Sequence, residues 1–170
     1  MNVGTLLTKS ARAYPERNAV IHGAERWTYA EFDARVNQLA NGFRELGLQP
    51  GAHVALLMYN CPQMLEGLFA CFKAGCAAVP INFRLHPQEF AYIIDHSEAS
   101  LLIASPEFTP AIEEIGADIP RCHHVVSLDP TAKGHLAYAE LVERQSPEFA
   151  DCPVAPDDVA WLFYTSGTTG

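Results

Sequence analysis

The sequence predicts an α/β fold: a mostly parallel sheet of about five strands with helices on both faces, preceded by an N-terminal helix and a hairpin. Short apolar segments recur along the chain, and segments with helical periodicity separate them. Strands that alternate with helices in this way are typical of βαβ units. The strand segments are apolar throughout, which favours a parallel sheet that is covered on both faces.

The N-terminal part is predicted to form a helix, a hairpin and then a long second helix. Residues 19–22 and 26–28 flank Gly23, which suits a hairpin turn. Thr28 and Glu31 then match the S/T-x-x-E capping box, in which the cap side chain alone contributes roughly 1 kcal/mol. Apolar residues at alternating spacings of four and three place one face of this helix in the core: Phe32, Val36, Leu39, Phe43 and Leu46.

Beyond residue 50, strands and helices are predicted to alternate. The predicted strands are residues 53–58, 77–81, 101–104, 123–127 and 159–164. The predicted helices between them are residues 62–73, 87–95, 109–116 and 136–144. Pro62 and Pro87 suit the first turn of a helix, where a missing N–H costs nothing. Residues 145–158 contain three prolines and are predicted to form a connecting loop.

The composition excludes several classes of function. The chain has 170 residues, the size of one ordinary domain, and its formal net charge is −9. It lacks the basic surface of a nucleic-acid binder and would be repelled by anionic membranes. No apolar segment reaches the roughly 18 residues of a membrane span, and the N-terminus lacks the apolar part of a secretory signal. The five cysteines match neither a zinc site nor a disulfide framework, so we expect a reducing, cytoplasmic compartment.

The last residues of the chain carry its clearest chemical signal. The predicted strand 159–164 gives way to small hydroxyl and glycine residues: Thr165, Ser166, Gly167, Thr168, Thr169 and Gly170. Glycines allow the backbone to approach a ligand closely, and successive N–H groups can form an anion-binding concavity. The position after a strand is where open α/β sheets bind ligands. The spacing matches neither a Walker A loop nor a Rossmann fingerprint, and composition alone is equally compatible with an ordinary turn.

The other candidate residues are better explained by structural roles. Cys61, Cys71 and Cys76 are expected to be small buried hydrophobes, because their spacing fits no metal site. His123 and His124 are adjacent in a predicted strand, so their side chains should point to opposite faces. His86 precedes Pro87 and is expected to have a local role at the start of a helix.

Residues 164–170, Tyr-Thr-Ser-Gly-Thr-Thr-Gly, resemble the phosphate-loop signature of the adenylate-forming enzymes, which include acyl-CoA synthetases, adenylation domains and luciferases. The resemblance continues upstream. Residues 15–21 and 27–32 resemble the N-terminal hairpin and first helix of that family, and four further segments resemble its first two core strands and its next helix: residues 51–56, 77–82, 84–89 and 94–97. The similarity therefore covers nearly the whole chain in order, and within the family it is greatest to the fatty acyl-CoA ligases.

This resemblance implies a two-step reaction. A carboxylate oxygen attacks the α-phosphorus of ATP to give an acyl-adenylate and pyrophosphate, and the thiol of CoA then displaces AMP. ATP, Mg²⁺ and CoA are thus implied as substrates and cofactor, and a fatty acid as the carboxylate. Because the family's loop holds the β- and γ-phosphates, the resemblance assigns phosphate binding to Thr165, Ser166, Gly167, Thr168, Thr169 and Gly170. It assigns no catalytic residue and no metal ligand to this chain.

The resemblance also implies that residues 1–170 are the N-terminal portion of the large adenylation domain. The family signature continues with Pro-Lys-Gly, and the family's ribose-binding aspartate, magnesium-binding glutamate, most of its acyl pocket and its C-terminal domain with the adenylation lysine lie further on. We therefore expect the 170 residues alone to be inactive. We also expect self-association, because the missing parts would leave a sheet edge and apolar surface uncovered.

Two other functions remain open at this point. The same segments would serve an adenylation domain that transfers its acyl group to the thiol of a carrier protein. They would also suit a non-catalytic nucleotide-binding or interaction remnant. Affinity for ATP separates the last possibility from the others, because a chain with an incomplete loop should bind the nucleotide weakly.

Overall fold

The N-terminal part of the chain folds as the sequence predicts. In the computed structural model, which describes residues 2–165, helix α1 (Thr5–Ala13) precedes a hairpin of strands β1 (Asn18–His22) and β2 (Glu25–Thr28). Gly23, in the turn, has a φ of 58°, a left-handed conformation that glycine adopts readily. Helix α2 (Tyr29–Glu45) follows the hairpin directly.

The predicted capping box at the start of α2 is confirmed. The Thr28 hydroxyl accepts a hydrogen bond from the backbone N–H of Glu31 at 3.2 Å, and the Glu31 carboxylate accepts one from the backbone N–H of Thr28 at 2.8 Å. Two N–H groups that the helix leaves without intrahelical partners are thereby satisfied.

We expect Thr28→Ala to lower the free energy of unfolding by about 1 kcal/mol, because the variant loses the hydroxyl that accepts from Glu31. Thr28→Ser keeps the hydroxyl and is the matched control. Denaturant unfolding of both variants measures the difference. An equal loss in Ala and Ser would show that the hydroxyl does not stabilise the helix.

The rest of the chain alternates between strands and helices. In chain order the elements are β3 (His53–Leu57), α3 (Pro62–Ala74), β4 (Ala77–Pro80), α4 (Pro87–His96), β5 (Ala99–Ala104), α5 (Thr109–Ile115), β6 (His124–Ser127), β7 (Leu136–Ala137) and α6 (Tyr138–Glu143). Strands β3 to β7 form one sheet, in the order β4–β3–β5–β6–β7, and every pairing in it is parallel. The predicted α/β class and parallel sheet are confirmed.

Side chains of the sheet alternate between two cores. Val54 and Leu56 of β3 pack on the face covered by α1, α2, α3 and α6, whereas Ala55 and Leu57 pack on the face covered by α4 and α5. All four side chains are fully buried. The predicted arrangement of helices on both faces is therefore confirmed, and it explains why the strands are apolar throughout.

Two predicted elements, one helix and one strand, differ from the structure. Residues 136–137, predicted to begin a helix, form β7, and helix α6 starts only at Tyr138. Residues 159–164 form a single parallel bridge, between Trp161 and Ala78, instead of a strand. The Ala78 N–H donates to Ala160 O at 3.0 Å and the Leu162 N–H donates to Ala78 O at 2.9 Å. The next donor of this ladder would be Pro80, which has no N–H, so the ladder cannot continue.

The segment 159–164 lies beside β4 at the edge of the sheet and exposes apolar side chains. Val159, Trp161 and Phe163 are each at least 40% exposed. This is the kind of surface on which the expected self-association depends, and self-association stays a prediction. Within residues 2–165, no helix combines the length and the apolar character needed to cross a membrane.

Helix α3 buries two charged side chains that the sequence analysis did not identify. The Glu66 carboxylate is fully buried and accepts from Nε of Arg35 at 2.6 Å and from the hydroxyl of Tyr138. Lys73, also fully buried, donates from Nζ to Asp33 at 2.6 Å and to Asn37 at 2.7 Å. Both clusters link α3 to α2, so the interface between these helices is polar as well as apolar.

Residues 145–150, which we call the strap, lie along α2. Four α2 side chains donate to strap carbonyls at distances of 2.8 to 3.3 Å: Asn37 to Pro147, Gln38 to Gln145, Asn41 to Ser146 and Glu148, and Arg44 to Ala150. The predicted loop is thus held by side chain to backbone hydrogen bonds, although it has no regular secondary structure.

Candidate functional site

The candidate phosphate loop begins at the carboxyl edge of the sheet, where the parallel strands end. Because residues 159–164 run parallel to β4, Thr165 leaves the sheet on the same side as Asn82, which follows β4. Ligands of open α/β sheets bind at this edge. Of the predicted site residues, Thr165 lies within the described part of the chain and is exposed. Ser166, Gly167, Thr168, Thr169 and Gly170 lie outside the described residues.

A cavity of about 310 Å³ adjoins Thr165. It lies between helix α4 and the end of the segment 159–164. Its walls combine apolar, aromatic, amide and carboxylate groups, contributed by Asn82, Leu85, Gln88, Glu89, Tyr92, Ile93, Tyr164 and Thr165. Among residues 2–165, no Lys or Arg lines it.

The start of α4 beside this cavity is closed by a second capping box. His86 Nδ1 accepts from the backbone N–H of Gln88 at 3.3 Å, and the Glu89 carboxylate accepts from the backbone N–H of His86 at 2.8 Å. The local role that the sequence analysis expected for His86 is confirmed. Because the Glu89 carboxylate serves as part of the cap, its position at the cavity wall is fixed by the helix.

Three aromatic side chains join the end of α4 to the residue before Thr165. Nδ1 of His96, the last residue of α4, and the Tyr164 hydroxyl are hydrogen-bonded at 2.7 Å. The Tyr92 ring stacks on the His96 ring at a centroid distance of 5.2 Å, and the Tyr164 ring meets it edge-on at 5.7 Å. Partial burial, together with Tyr92, raises the pKa of Tyr164, so its hydroxyl remains protonated at neutral pH.

Sequence reasoning missed Tyr92 and His96. One signal was present, because residues four apart on a helix lie on the same face and Tyr92 and His96 have this spacing. The partner of His96 could not be identified in the same way. Tyr164 is 68 residues away, and the contact requires the sheet to bring residues 159–164 next to α4.

Of the three cysteines that were expected to be buried, Cys71 and Cys76 are buried, whereas Cys61, at the start of α3, is only half-buried. Burial raises the pKa of the Cys71 thiol well above its ordinary value and raises that of Cys76 to about 12. Neither thiol is therefore ionised to any extent at neutral pH, which makes it a weak nucleophile and metal ligand. Within residues 2–165, no three His, Cys, Asp or Glu side chains are grouped so that they could hold a metal ion.

Comparisons with known proteins agree on one family. A family model described as AMP-binding enzyme matches residues 7–170. Over 170 residues the chain is 40% identical to a feruloyl-CoA synthase of Amycolatopsis sp, a match that covers 99% of this chain and 31% of that protein. It is 34% identical over 180 residues to a long-chain-fatty-acid–CoA ligase of Thermus thermophilus, covering 100% of this chain and 32% of that protein.

Solved structures show the same similarity. The fold matches that of the anthranilate CoA ligase AuaEII, determined in complex with anthranoyl-AMP, with a TM-score of 0.93 and 28% identity. That match covers 100% of this chain and 32% of the other. The chain thus spans about a third of the length of the relatives that it matches.

Proposed function

Because the chain belongs to the family of AMP-binding enzymes, we propose that it forms the N-terminal portion, residues 1–170, of the large adenylation domain of an ATP-dependent carboxylate–CoA ligase. The observation that carries the proposal is the ordered family match, which runs from residue 7 through the phosphate-loop signature. The position of Thr165 at the carboxyl edge of the sheet supports it, because nucleotides bind at that edge in α/β proteins. The proposal also places the protein in a reducing, cytoplasmic compartment, as the cysteines lead us to expect.

The proposed chemistry follows from the poor reactivity of a carboxylate. One of its oxygens attacks the α-phosphorus of ATP, forming an acyl-adenylate as the bond to pyrophosphate breaks. The thiol sulfur of CoA then attacks the acyl carbon, and AMP leaves with the bonding electrons. A phosphate-binding loop contributes by positioning the nucleotide and by stabilising the charge that develops on the leaving pyrophosphate.

We assign this task to the loop that begins at Thr165. Backbone N–H groups of Thr165 to Gly170 and the hydroxyls of its Thr and Ser residues would donate to the β- and γ-phosphates. Hydrogen bonds to a charged acceptor contribute about 1.5–3 kcal/mol each, so several together could hold a polyphosphate.

Two classes of acid are candidates for the carboxylate. The resemblance of the sequence to fatty acyl-CoA ligases favours a fatty acid. The 34% identity to the Thermus thermophilus long-chain-fatty-acid–CoA ligase supports this candidate. An aromatic acid is the second candidate. It is supported by the 40% identity to the Amycolatopsis feruloyl-CoA synthase and by the structural likeness to the anthranilate CoA ligase.

The proposal is tested by measuring carboxylate-dependent exchange between ATP and labelled pyrophosphate. The protein used is the complete product of the gene that encodes this chain. Palmitate, ferulate and anthranilate serve as the acids, and release of a CoA thioester is followed separately. Exchange that requires an acid is the expected result, and the acid with the highest kcat/KM identifies the class. No exchange with any acid would contradict the proposal, and exchange without a CoA thioester would favour the carrier-protein alternative.

The 170 residues expressed alone make a useful comparison. We expect this polypeptide to show no exchange, because the proposed activity depends on regions of the relatives that have no counterpart in it. Exchange by the 170 residues alone would show that the activity needs no more than this chain contains.

A further inference from the structure

Thr165 follows a segment that the sheet holds only as far as Leu162. The backbone of residues 160–162 is hydrogen-bonded to Ala78, and the ladder stops there because Pro80 has no N–H to donate. Three residues before the candidate loop, the chain therefore leaves the sheet's hydrogen-bond ladder. Some other contact has to fix the direction in which it continues.

The side chain of Tyr164 supplies one such contact. Its hydroxyl is hydrogen-bonded to His96 Nδ1 at 2.7 Å, and its ring packs edge-on against the His96 ring. Helix α4, which carries His96, is fixed in turn by Phe90, Ile93 and Ile94, all of them buried in the core. Tyr164 is thus attached to a helix that the core holds in place.

We propose that His96 is a positioning residue that, through Tyr164, fixes the place at which the chain enters the phosphate loop at Thr165. Its effect on catalysis rests on the proposed function, since positioning matters only if the loop binds ATP. His96 itself touches no substrate in this scheme. Its contribution is to hold residue 164 in one place, so that the loop begins at a fixed position relative to the phosphates.

The inference is tested with His96→Ala, Tyr164→Phe and the double variant, all made in the complete gene product. The first two variants each remove one partner of the same hydrogen bond. A single hydrogen bond contributes about 0.5–1.5 kcal/mol, so we expect each to lower kcat/KM for ATP about three- to tenfold in the pyrophosphate exchange. The double variant should lose little more than either single one. The KM for the carboxylic acid should not change.

A rescue variant and two controls separate positioning from general damage. His96→Asn places an amide where the imidazole Nδ1 lies and should restore most of kcat/KM for ATP. His22→Ala and Tyr14→Phe make the same kinds of change at exposed residues elsewhere on the surface and should leave the kinetics unchanged. An equal fall in kcat/KM for ATP and in kcat/KM for the acid, with KM raised for both, would indicate a general structural role and would overturn the proposal.

Hydrogen exchange provides a readout that does not depend on activity. The Leu162 N–H is bonded to Ala78 at 2.9 Å, so its exchange reports how often residues 160–165 open. We expect faster exchange in a peptide covering these residues for His96→Ala and Tyr164→Phe, and wild-type exchange for His96→Asn. Unchanged exchange in His96→Ala would overturn the inference. If the wild-type enzyme shows no ATP–pyrophosphate exchange, the proposed function is refuted. Amide hydrogen exchange at Leu162 would then show by itself whether His96 anchors Tyr164.

Discussion

Arg35→Ala is expected to lower the free energy of unfolding by about 3 kcal/mol, a large share of the stability of a domain of this size. The variant removes the guanidinium that binds Glu66 at 2.6 Å and leaves that carboxylate fully buried, with the Tyr138 hydroxyl as its remaining partner in the described structure. Burial and the neighbouring Glu66 raise the pKa of Tyr138 well above its ordinary value, so this hydroxyl can donate a hydrogen bond but brings no positive charge. Breaking a buried ion pair costs about 3–5 kcal/mol, and we place the loss at the lower end because Arg35 is 32% exposed.

Two further variants test whether the uncompensated charge is the cause. Arg35→Ala combined with Glu66→Gln should be more stable than Arg35→Ala alone, because the amide keeps the shape of the side chain without its charge. Arg121→Ala breaks exposed ion pairs with Asp95 and Glu98, at 3.5 and 4.0 Å, and should cost less than about 1 kcal/mol. If the double variant unfolds as easily as Arg35→Ala, lost packing rather than charge explains the effect.

Thr168→Val in the complete gene product is expected to lower kcat/KM for ATP by about ten- to a hundredfold. Thr168 lies outside the described residues, and the expectation rests on its place in the phosphate-loop signature. Valine keeps the shape of threonine and removes a hydroxyl that would donate to a phosphate, an interaction that contributes about 1.5–3 kcal/mol. Thr131→Val, in an exposed turn, is the matched control. Wild-type kinetics in Thr168→Val would exclude this hydroxyl from nucleotide binding.

Local signals in the sequence predicted local structure well. Thr28 and Glu31 indicated the start of α2 because a capping box needs only residues three apart. His86 at the start of α4 was expected for a similar reason, since Pro87 favours the first helical turn. The alternation of apolar strands with helices then predicted the parallel sheet, because few topologies bury strands that are apolar on both faces.

The contacts that shape the candidate site and the helix interface could not be predicted in this way. Charged residues on a helix usually face water, so neither Glu66 nor Lys73 gave any sign in the sequence of being fully buried. Residues 159–164 are apolar enough for a strand, but the neighbouring strand cannot pair with them along their length, since Pro80 on β4 has no N–H to donate. The pairing of His96 with Tyr164 also depends on β4, because β4 brings residues 159–164 next to α4. Each of these features arises from two distant segments together.

The strap along α2 has a consequence for which substitutions the protein tolerates. Helix α2 recognises the strap through its carbonyl oxygens, which every amino acid provides, and even Pro147 takes part as an acceptor. The strap positions whose side chains make no contact of their own are therefore free to vary as long as the length of the segment is kept. Phe149 and Gln145 are exceptions, because the Phe149 ring packs against the core and under the Arg44 guanidinium, and the Gln145 amide donates to Glu45. The donors have no such freedom, because replacing Asn41 would remove hydrogen bonds to two carbonyls at once. Sequences that share this fold should thus diverge in the strap, outside Phe149 and Gln145, while keeping the amides of α2.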